Sequence, residues 1–221
     1  RNDRVVWASC MVACGDADGA VTGNTRRFGA SLDKIKQVVN PRPGEIMFGL
    51  NLVVHKGKTI FVADTSVHEY PSSEQMSEIA ISSARVVRLF GFDPKVAFVS
   101  HSTFGQPVTS RTKHIKKAVD ILKEKNVDFE FDGDMQPDVA LNKEYKNLYP
   151  FSNIVGSANI LIMPGQHSAA ISYKMMKELG DTKVIGPLLI GLGLPIEIAP
   201  LRTSTSELIN LASIAAYSAD V

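Results

Sequence analysis

Cysteine is scarce in this chain. Cys10 and Cys14 are the only two in 221 residues, far too few for a disulfide scaffold. Both lie in an apolar stretch, so the expectation is a pair of buried, reduced thiols. No apolar run approaches the roughly 20 residues of a membrane helix, which argues against a membrane protein. Arg1-Asn-Asp-Arg4 leads only a short apolar run, broken by Ser9, so no signal peptide is expected. Charge of one sign is missing too. The formal net charge is +1, which gives no electrostatic reason to expect nucleic acid or a membrane surface as partner. A reducing cytoplasm is the expected compartment. An initiating methionine is also missing, and the expectation is a fragment of a longer protein.

What is present is a sizeable core: 44% of residues are hydrophobic and 21% charged. Arg4 to Ala13 reads as a helix or a buried strand. Ser31 to Val39 reads as a helix, closed by Asn40-Pro-Arg-Pro-Gly44. Ile46 to Val54 and Thr59 to Ala63 flank a short Lys/Gly turn and predict a β-hairpin. A helix follows from Ser72, where Ser72 and Gln75 have capping-box spacing, to a stop at Gly91. Strands are expected at 95–100, 127–131, 159–163, 184–190 and 196–198. Helices are expected at 110–126, 137–146, 168–179 and 207–219. This alternation predicts an α/β fold with a largely parallel sheet and one antiparallel hairpin.

In such sheets ligands bind beyond the carboxyl ends of the strands. Three polar loops stand there in the expected order: Ser100 to Gly105, Asp132 to Gln136, and Pro164 to Ser168. Hydroxyls, amides and glycines suit a polar, phosphate-bearing ligand. A further candidate is Ile198-Ala-Pro-Leu-Arg202-Thr-Ser204-Thr-Ser-Glu207. It reads as a strand end, a loop with one guanidinium, and a helix start capped by Ser204 and Glu207. Arg26-Arg27 is either a second anion grip or a solvated pair.

Other chemistry is disfavoured. His101, Ser102 and Asp64 do not make a hydrolase triad, since no Gly-x-Ser-x-Gly elbow exists. Asp132, Asp134 and Asp138 lack the closing glutamate of a calcium loop, where Lys143 stands, and are better read as capping and loop groups. His55, His68, His114 and His167 lack zinc spacing. Gly186 and Gly191 begin a P-loop spacing, but Leu192 replaces the lysine.

An ordered series of segments resembles the phosphotransacetylase (phosphate acetyl/butyryl transferase) family. The segments are Asp16 to Gly23, Phe61-Val-Ala-Asp-Thr65, Ser77 to Ala84, Pro94 to Ala97 and Ser100 to Thr103. Asp132 to Gln136, Ser157 to Leu161 and Ile185-Gly-Pro-Leu188 complete it. Phe28 to Ile35, Phe104-Gly-Gln-Pro107, Tyr149-Pro-Phe151, Met163-Pro164 and His167-Ser168 are similar to the phosphotransacetylase-like C-terminal domain of bacterial NADP-dependent malic enzymes.

The resemblance implies a three-layer, isocitrate/isopropylmalate dehydrogenase-like fold of two subdomains. Residues 1–44 and 191–221 would form part of a truncated first subdomain, and 45–190 the central one. It implies a coenzyme A ester site that uses Arg26, Arg27, Ser102, Thr103, Asp132, Asn159, Gly186, Pro187 and Arg202. It implies pairing into a homodimer or larger homo-oligomer. The serine and aspartate that flank the catalytic arginine of true transacetylases match Leu201 and Leu208 here, with Glu207 one residue away. A further transacetylase arginine is missing near Asp33. The expectation is therefore an acetyl-CoA- or CoA-binding regulatory domain without acyl transfer. Malate oxidation, NADP and a divalent metal would belong to upstream domains of the same chain. The alternatives are an active phosphate acetyltransferase and a purely structural oligomerisation domain.

Overall fold

In the computed structural model, which describes residues 3–219, the chain divides into two compact units. Unit 1 is Arg1–Asn51 with Ile185–Val221; unit 2 is Leu52–Val184. The limits fall inside strands β2 (Phe48–His55) and β7 (Thr182–Ile190), whereas the sequence placed its lines after Gly44 and before Gly191.

The larger sheet has the strand order β5-β4-β6-β3-β2-β7. Strands β3 (Lys58–Ala63), β6 (Ile160–Ile162), β4 (Lys95–Val99) and β5 (Glu130–Met135) run parallel, with Phe61 opposite Ile160 and Val96 opposite both Ile160 and Phe131. β2 and β3 are joined by Lys56-Gly57. Both residues have positive φ (46° and 76°), as a two-residue hairpin turn of matching twist requires.

Side chains alternate across this sheet. Val62, Ala97, Val99 and Leu161 face a core completed by Ala140 of α5 (Pro137–Leu141) and by Ala169, Tyr173 and Met176 of α6 (Gln166–Leu179). The intervening residues Phe61, Val96, Phe98, Ile160 and Ile162 are fully buried as well, under α3 (Ser73–Leu89) and α4 (Ser110–Glu124). Each Phe or Ile removed from water there contributes about 1.5–3 kcal/mol. Reciprocal caps start both helices: Ser72 with Gln75, and Thr109 with Thr112.

Unit 1 holds a two-stranded parallel sheet, β1 (Ala20–Gly23) beside β8 (Ile196–Ala199), paired from Ala20–Ile196 to Gly23–Ala199. Around it lie α1 (Arg4–Ala13), α2 (Phe28–Ile35) and α7 (Thr205–Ala219). The mixed α/β class, the parallel strands and the hairpin agree with the sequence. Among the described residues no helix is long and apolar enough to cross a membrane.

Several local expectations are corrected. Arg4–Ala13 is a helix, and its phase turns Val5, Ser9 and Val12 inward. Cys10 and Cys14, four residues apart, are therefore exposed rather than buried. The fifth strand covers 130–135 rather than 127–131, so Asp132 and Asp134 lie within a strand and not in a loop. Neighbouring backbone N–H groups satisfy both carboxylates, which is why polar residues are tolerated there. The expected helix 137–146 stops at Leu141; Asn142 bonds the Glu144 N–H with its side chain, and a 3-10 helix follows over Lys143–Leu148.

Candidate functional site

In unit 1 the carboxyl ends of β1 and β8 lie side by side and their loops are stitched together. Gly23 has φ 101°, and a Cβ there would sit on the Ala199 carbonyl, so only glycine lets the two strands end this close. Asn24 N donates to Ala199 O at 2.8 Å, and Thr203 N donates to Asn24 Oδ1 at 3.1 Å. Thr203 Oγ1 donates to Pro200 O at 2.6 Å. A cleft of about 570 Å³ opens here, lined among others by Arg4, Thr22, Asn24, Thr25, Arg26 and Leu208. Hydroxyls, an amide and two guanidiniums against an apolar wall suit an anion with an organic tail.

Arg26 stands in this cleft as expected, but its Nη1 pairs with Asp3 Oδ2 at 2.7 Å. That hydrogen bond holds the Asp3 carboxyl below its usual range. Arg4 joins Arg26, and no sequence motif marked it; its position in the first turn of α1, where a cation opposes the helix dipole, was the only available signal. Arg27 is exposed at the N-cap of α2 and does not line the cleft. Arg202 is exposed on the adjoining turn with φ 61°, next to Leu201 and outside the cleft lining. Gly186 is a packing glycine: a Cβ there would meet Leu50 O and Leu188 N at 2.9 Å. Pro187 beside it is buried.

Two polar groups of unit 1 went unnoticed in the sequence. The Asn51 amide is fully buried, without a hydrogen-bond partner among the described residues. Glu197 on β8 is also buried and accepts one bond, from Leu189 N at 2.9 Å. Burial pushes its carboxyl up to about 8, against the smaller opposing effect of that bond.

In unit 2 the loops after β3, β4 and β6 share the carboxyl edge of the sheet. Asp64, at the end of β3, accepts the backbone N–H groups of Ser66, Val67 and His68 and pairs with His68 Nδ1 at 2.7 Å. Its carboxylate is thus turned away from any triad with His101, which is exposed. Ser102 and Thr103 are buried and bonded within the protein. The Ser102 hydroxyl donates to Asp134 and lies 3.0 Å from Ser100 Oγ, and Thr103 Oγ1 accepts from Gln136 N at 3.3 Å. These hydroxyls tie the β4 loop to β5 rather than pointing to solvent.

Asp132 accepts Asn153 N at 2.7 Å and Gly133 N at 2.9 Å. Asn159 lies at the amino end of β6, the opposite edge from the loops. Its side chain accepts Lys95 N at 2.8 Å and donates to Asp93 O at 2.7 Å, a bracket between strands. Within unit 2, then, Asn159 stands at the opposite sheet edge from Ser102 and Thr103. Phe104 does meet Tyr149 and Phe151, at 5.5 and 4.8 Å between ring centroids, so two of the segments similar to malic enzymes come together. Among the described residues no three His, Cys, Asp or Glu side chains cluster as metal ligands.

A family model described as phosphate acetyl/butaryl transferase matches residues 1–216. The NADP-dependent malic enzyme of Rhizobium meliloti (strain 1021) is 46% identical over 219 residues, which cover 99% of this chain and 29% of that protein. The phosphate acetyltransferase of Clostridium acetobutylicum is 31% identical over 222 residues, covering 96% of this chain and 66% of that protein. Among solved structures, a phosphotransacetylase from Streptococcus pyogenes superposes with a TM-score of 0.91 at 29% identity, over 97% of this chain and 67% of that one. The chain spans less than a third of the length of the malic enzymes it matches. By sequence along nearly its whole length and by fold, it belongs to the phosphate acetyl/butaryl transferase family.

Proposed function

We propose that this chain is a regulatory domain of a longer NADP-dependent malic enzyme, binding acetyl-CoA or a related CoA ester without acyl transfer. The carrying observation is the pair Leu201 and Leu208 around Arg202, where the family's acyl-transfer site implies a serine and an aspartate. Neither leucine accepts or donates a proton, so a general base and a polar partner for the reacting groups are both missing. Glu207 does not replace them, because its carboxylate caps α7. Losing two members of a catalytic set costs orders of magnitude in rate, while anion binding by the cleft arginines survives.

Malate oxidation to pyruvate and CO2, with NADP and a divalent metal, falls to the remainder of the longer cytoplasmic protein. Effector binding shifts that activity by favouring one of two states of a homodimer or larger homo-oligomer. The identity of about 30% to phosphate acetyltransferases favours a second reading, an active transferase. One paired experiment separates them: titrate acetyl-CoA by calorimetry, and assay acetyl-CoA formation from acetyl phosphate and coenzyme A. Heat of binding with no turnover supports the regulatory reading. Turnover abolished by Arg202→Ala establishes the transferase. Absence of both, with the oligomer intact, leaves a structural domain.

A further inference from the structure

Cys10 and Cys14 are both exposed, although free thiols are usually buried. They stand one helical turn apart: Cys14 N donates to Cys10 O at 2.8 Å, which closes the turn that carries both. At 3.6 residues per turn their side chains leave the helix axis only about 40° apart. Trp7 and Met11 share that face. Trp7 is 68% exposed and stands three residues before Cys10; Met11 is half-buried and stands three residues before Cys14. Val5, Ser9 and Val12 occupy the opposite, buried face.

The end of this helix is fixed. Asp16 N donates to Met11 O at 2.9 Å and Gly15 N to Val12 O at 3.2 Å, with Gly15 at φ 78°. These two bonds and the left-handed glycine make a Schellman stop, which holds Cys14 in place. Groups fixed in advance lose little entropy when a ligand arrives.

The spacing decides what the two sulfurs can do together. Residues four apart on a helix have Cβ atoms about 5–6 Å apart. A disulfide needs about 3.8 Å between Cβ atoms, so Cys10 and Cys14 cross-link only if the last turn unwinds and the stop is lost. One ion between two thiolates asks for less. Two metal–sulfur bonds of about 2.3 Å in line put the sulfurs about 4.6 Å apart, which the two side chains reach by leaning together.

Ligand number selects the ion. Among the described residues no three His, Cys, Asp or Glu side chains cluster, so the four-coordinate shell of zinc is not supplied. Two thiolates, with the Met11 thioether as a further soft donor, suit copper(I), which prefers sulfur.

We infer that α1 holds a copper(I) ion between Cys10 and Cys14. On binding, both thiols give their protons to solvent and two sulfur–copper bonds form, with no change of oxidation state. The inference is independent of the coenzyme A reading. The test is anaerobic titration of the chain with copper(I), supplied on a coloured chelator that competes for it. Zinc(II) is titrated in parallel against its own coloured competitor. Trp7 is the only tryptophan of the chain, so its fluorescence reports an ion on this face. The variants are Cys10→Ser, Cys14→Ser and Met11→Leu. Both cysteines are exposed, so the serine variants keep the fold, which melting temperatures check.

The expected result is one copper(I) per chain, with Trp7 quenched and protons released. Each serine variant should lose about a hundredfold or more in affinity, the advantage of two linked donors over one. Met11→Leu should lose less, and zinc(II) should bind more weakly than copper(I). Unchanged copper affinity in either serine variant overturns the inference. So does one copper per two chains, which places the ion between molecules. Zinc held as tightly as copper overturns the choice of ion. A Cys10–Cys14 disulfide formed by a mild oxidant with helix content unchanged overturns the spacing on which the site rests.

Discussion

Ser204 and Glu207 cap α7 reciprocally: Ser204 N donates to Glu207 Oε2 at 2.7 Å, and Glu207 N donates to Ser204 Oγ at 3.3 Å. The Ser204 hydroxyl also donates to the same carboxylate oxygen, at 2.8 Å. The one acid beside Arg202 is thus spent on local structure. Ser204→Ala should therefore lower stability by about 1 kcal/mol. Urea denaturation measures it, with acetyl-CoA affinity expected to stay unchanged.

The cleft at the ends of β1 and β8 is expected to depend on its arginines. Arg4→Ala should weaken acetyl-CoA binding by about 1.5–3 kcal/mol if the guanidinium makes a charge-assisted contact. The same size of loss is expected for Arg26→Ala, the other guanidinium of the lining. Calorimetry compares the two, and unchanged affinity in both would place the ligand outside unit 1.

Glu197 makes stability depend on pH. Its folded value, near 8, lies above the ordinary 4.5, so between these the folded state holds more protons than the unfolded one. The stabilising contribution of the neutral acid is complete below about pH 4.5 and is lost as pH rises through about 8. Glu197→Gln keeps a group that can accept from Leu189 N and cannot ionise. Its melting temperature should gain on that of the unaltered protein as pH rises from 5 to 8. Parallel curves would show that the carboxyl does not titrate as inferred.

Cys10 and Cys14 are exposed on one face of α1. Both should react with a water-soluble thiol reagent in the native protein, without denaturant. Protection of both until unfolding would contradict the helix phase set by Val5, Ser9 and Val12.

Gly23→Ala tests the closeness of the strand ends. The side chain would press on the Ala199 carbonyl at a backbone conformation that alanine resists. A destabilisation of at least about 1–3 kcal/mol is expected, read from denaturant midpoints.

Local signals were legible wherever chemistry acts over a few residues. The capping pairs Ser72–Gln75 and Ser204–Glu207 could be read from spacing, and Lys56-Gly57 announced its hairpin. The cysteines misled, because a short apolar stretch does not show which face of a helix is turned inward. Asp132 and Asp134 looked like loop residues, because the N–H groups that satisfy them belong to Asn153 and Gly105, 21 and 29 residues distant.

The candidate site divides in the same way. Ser102, Thr103 and Asn159 have the residue types of a ligand loop, but their polar atoms are consumed by long-range bonds to Asp134, Gln136 and the β4 start. Arg4, Glu197 and the contacts of the Tyr70 ring with Arg111 and His167 carry no motif, since each depends on partners brought close only by folding.

By itself, the sequence determined the family, the α/β alternation and the loss of the polar groups beside Arg202, because residue identity and short-range periodicity are written along the chain. Only the tertiary structure decided which polar side chains remain free to meet a ligand. Whether a hydroxyl, carboxylate or guanidinium is spent inside the protein depends on hydrogen bonds and burial between residues far apart in sequence.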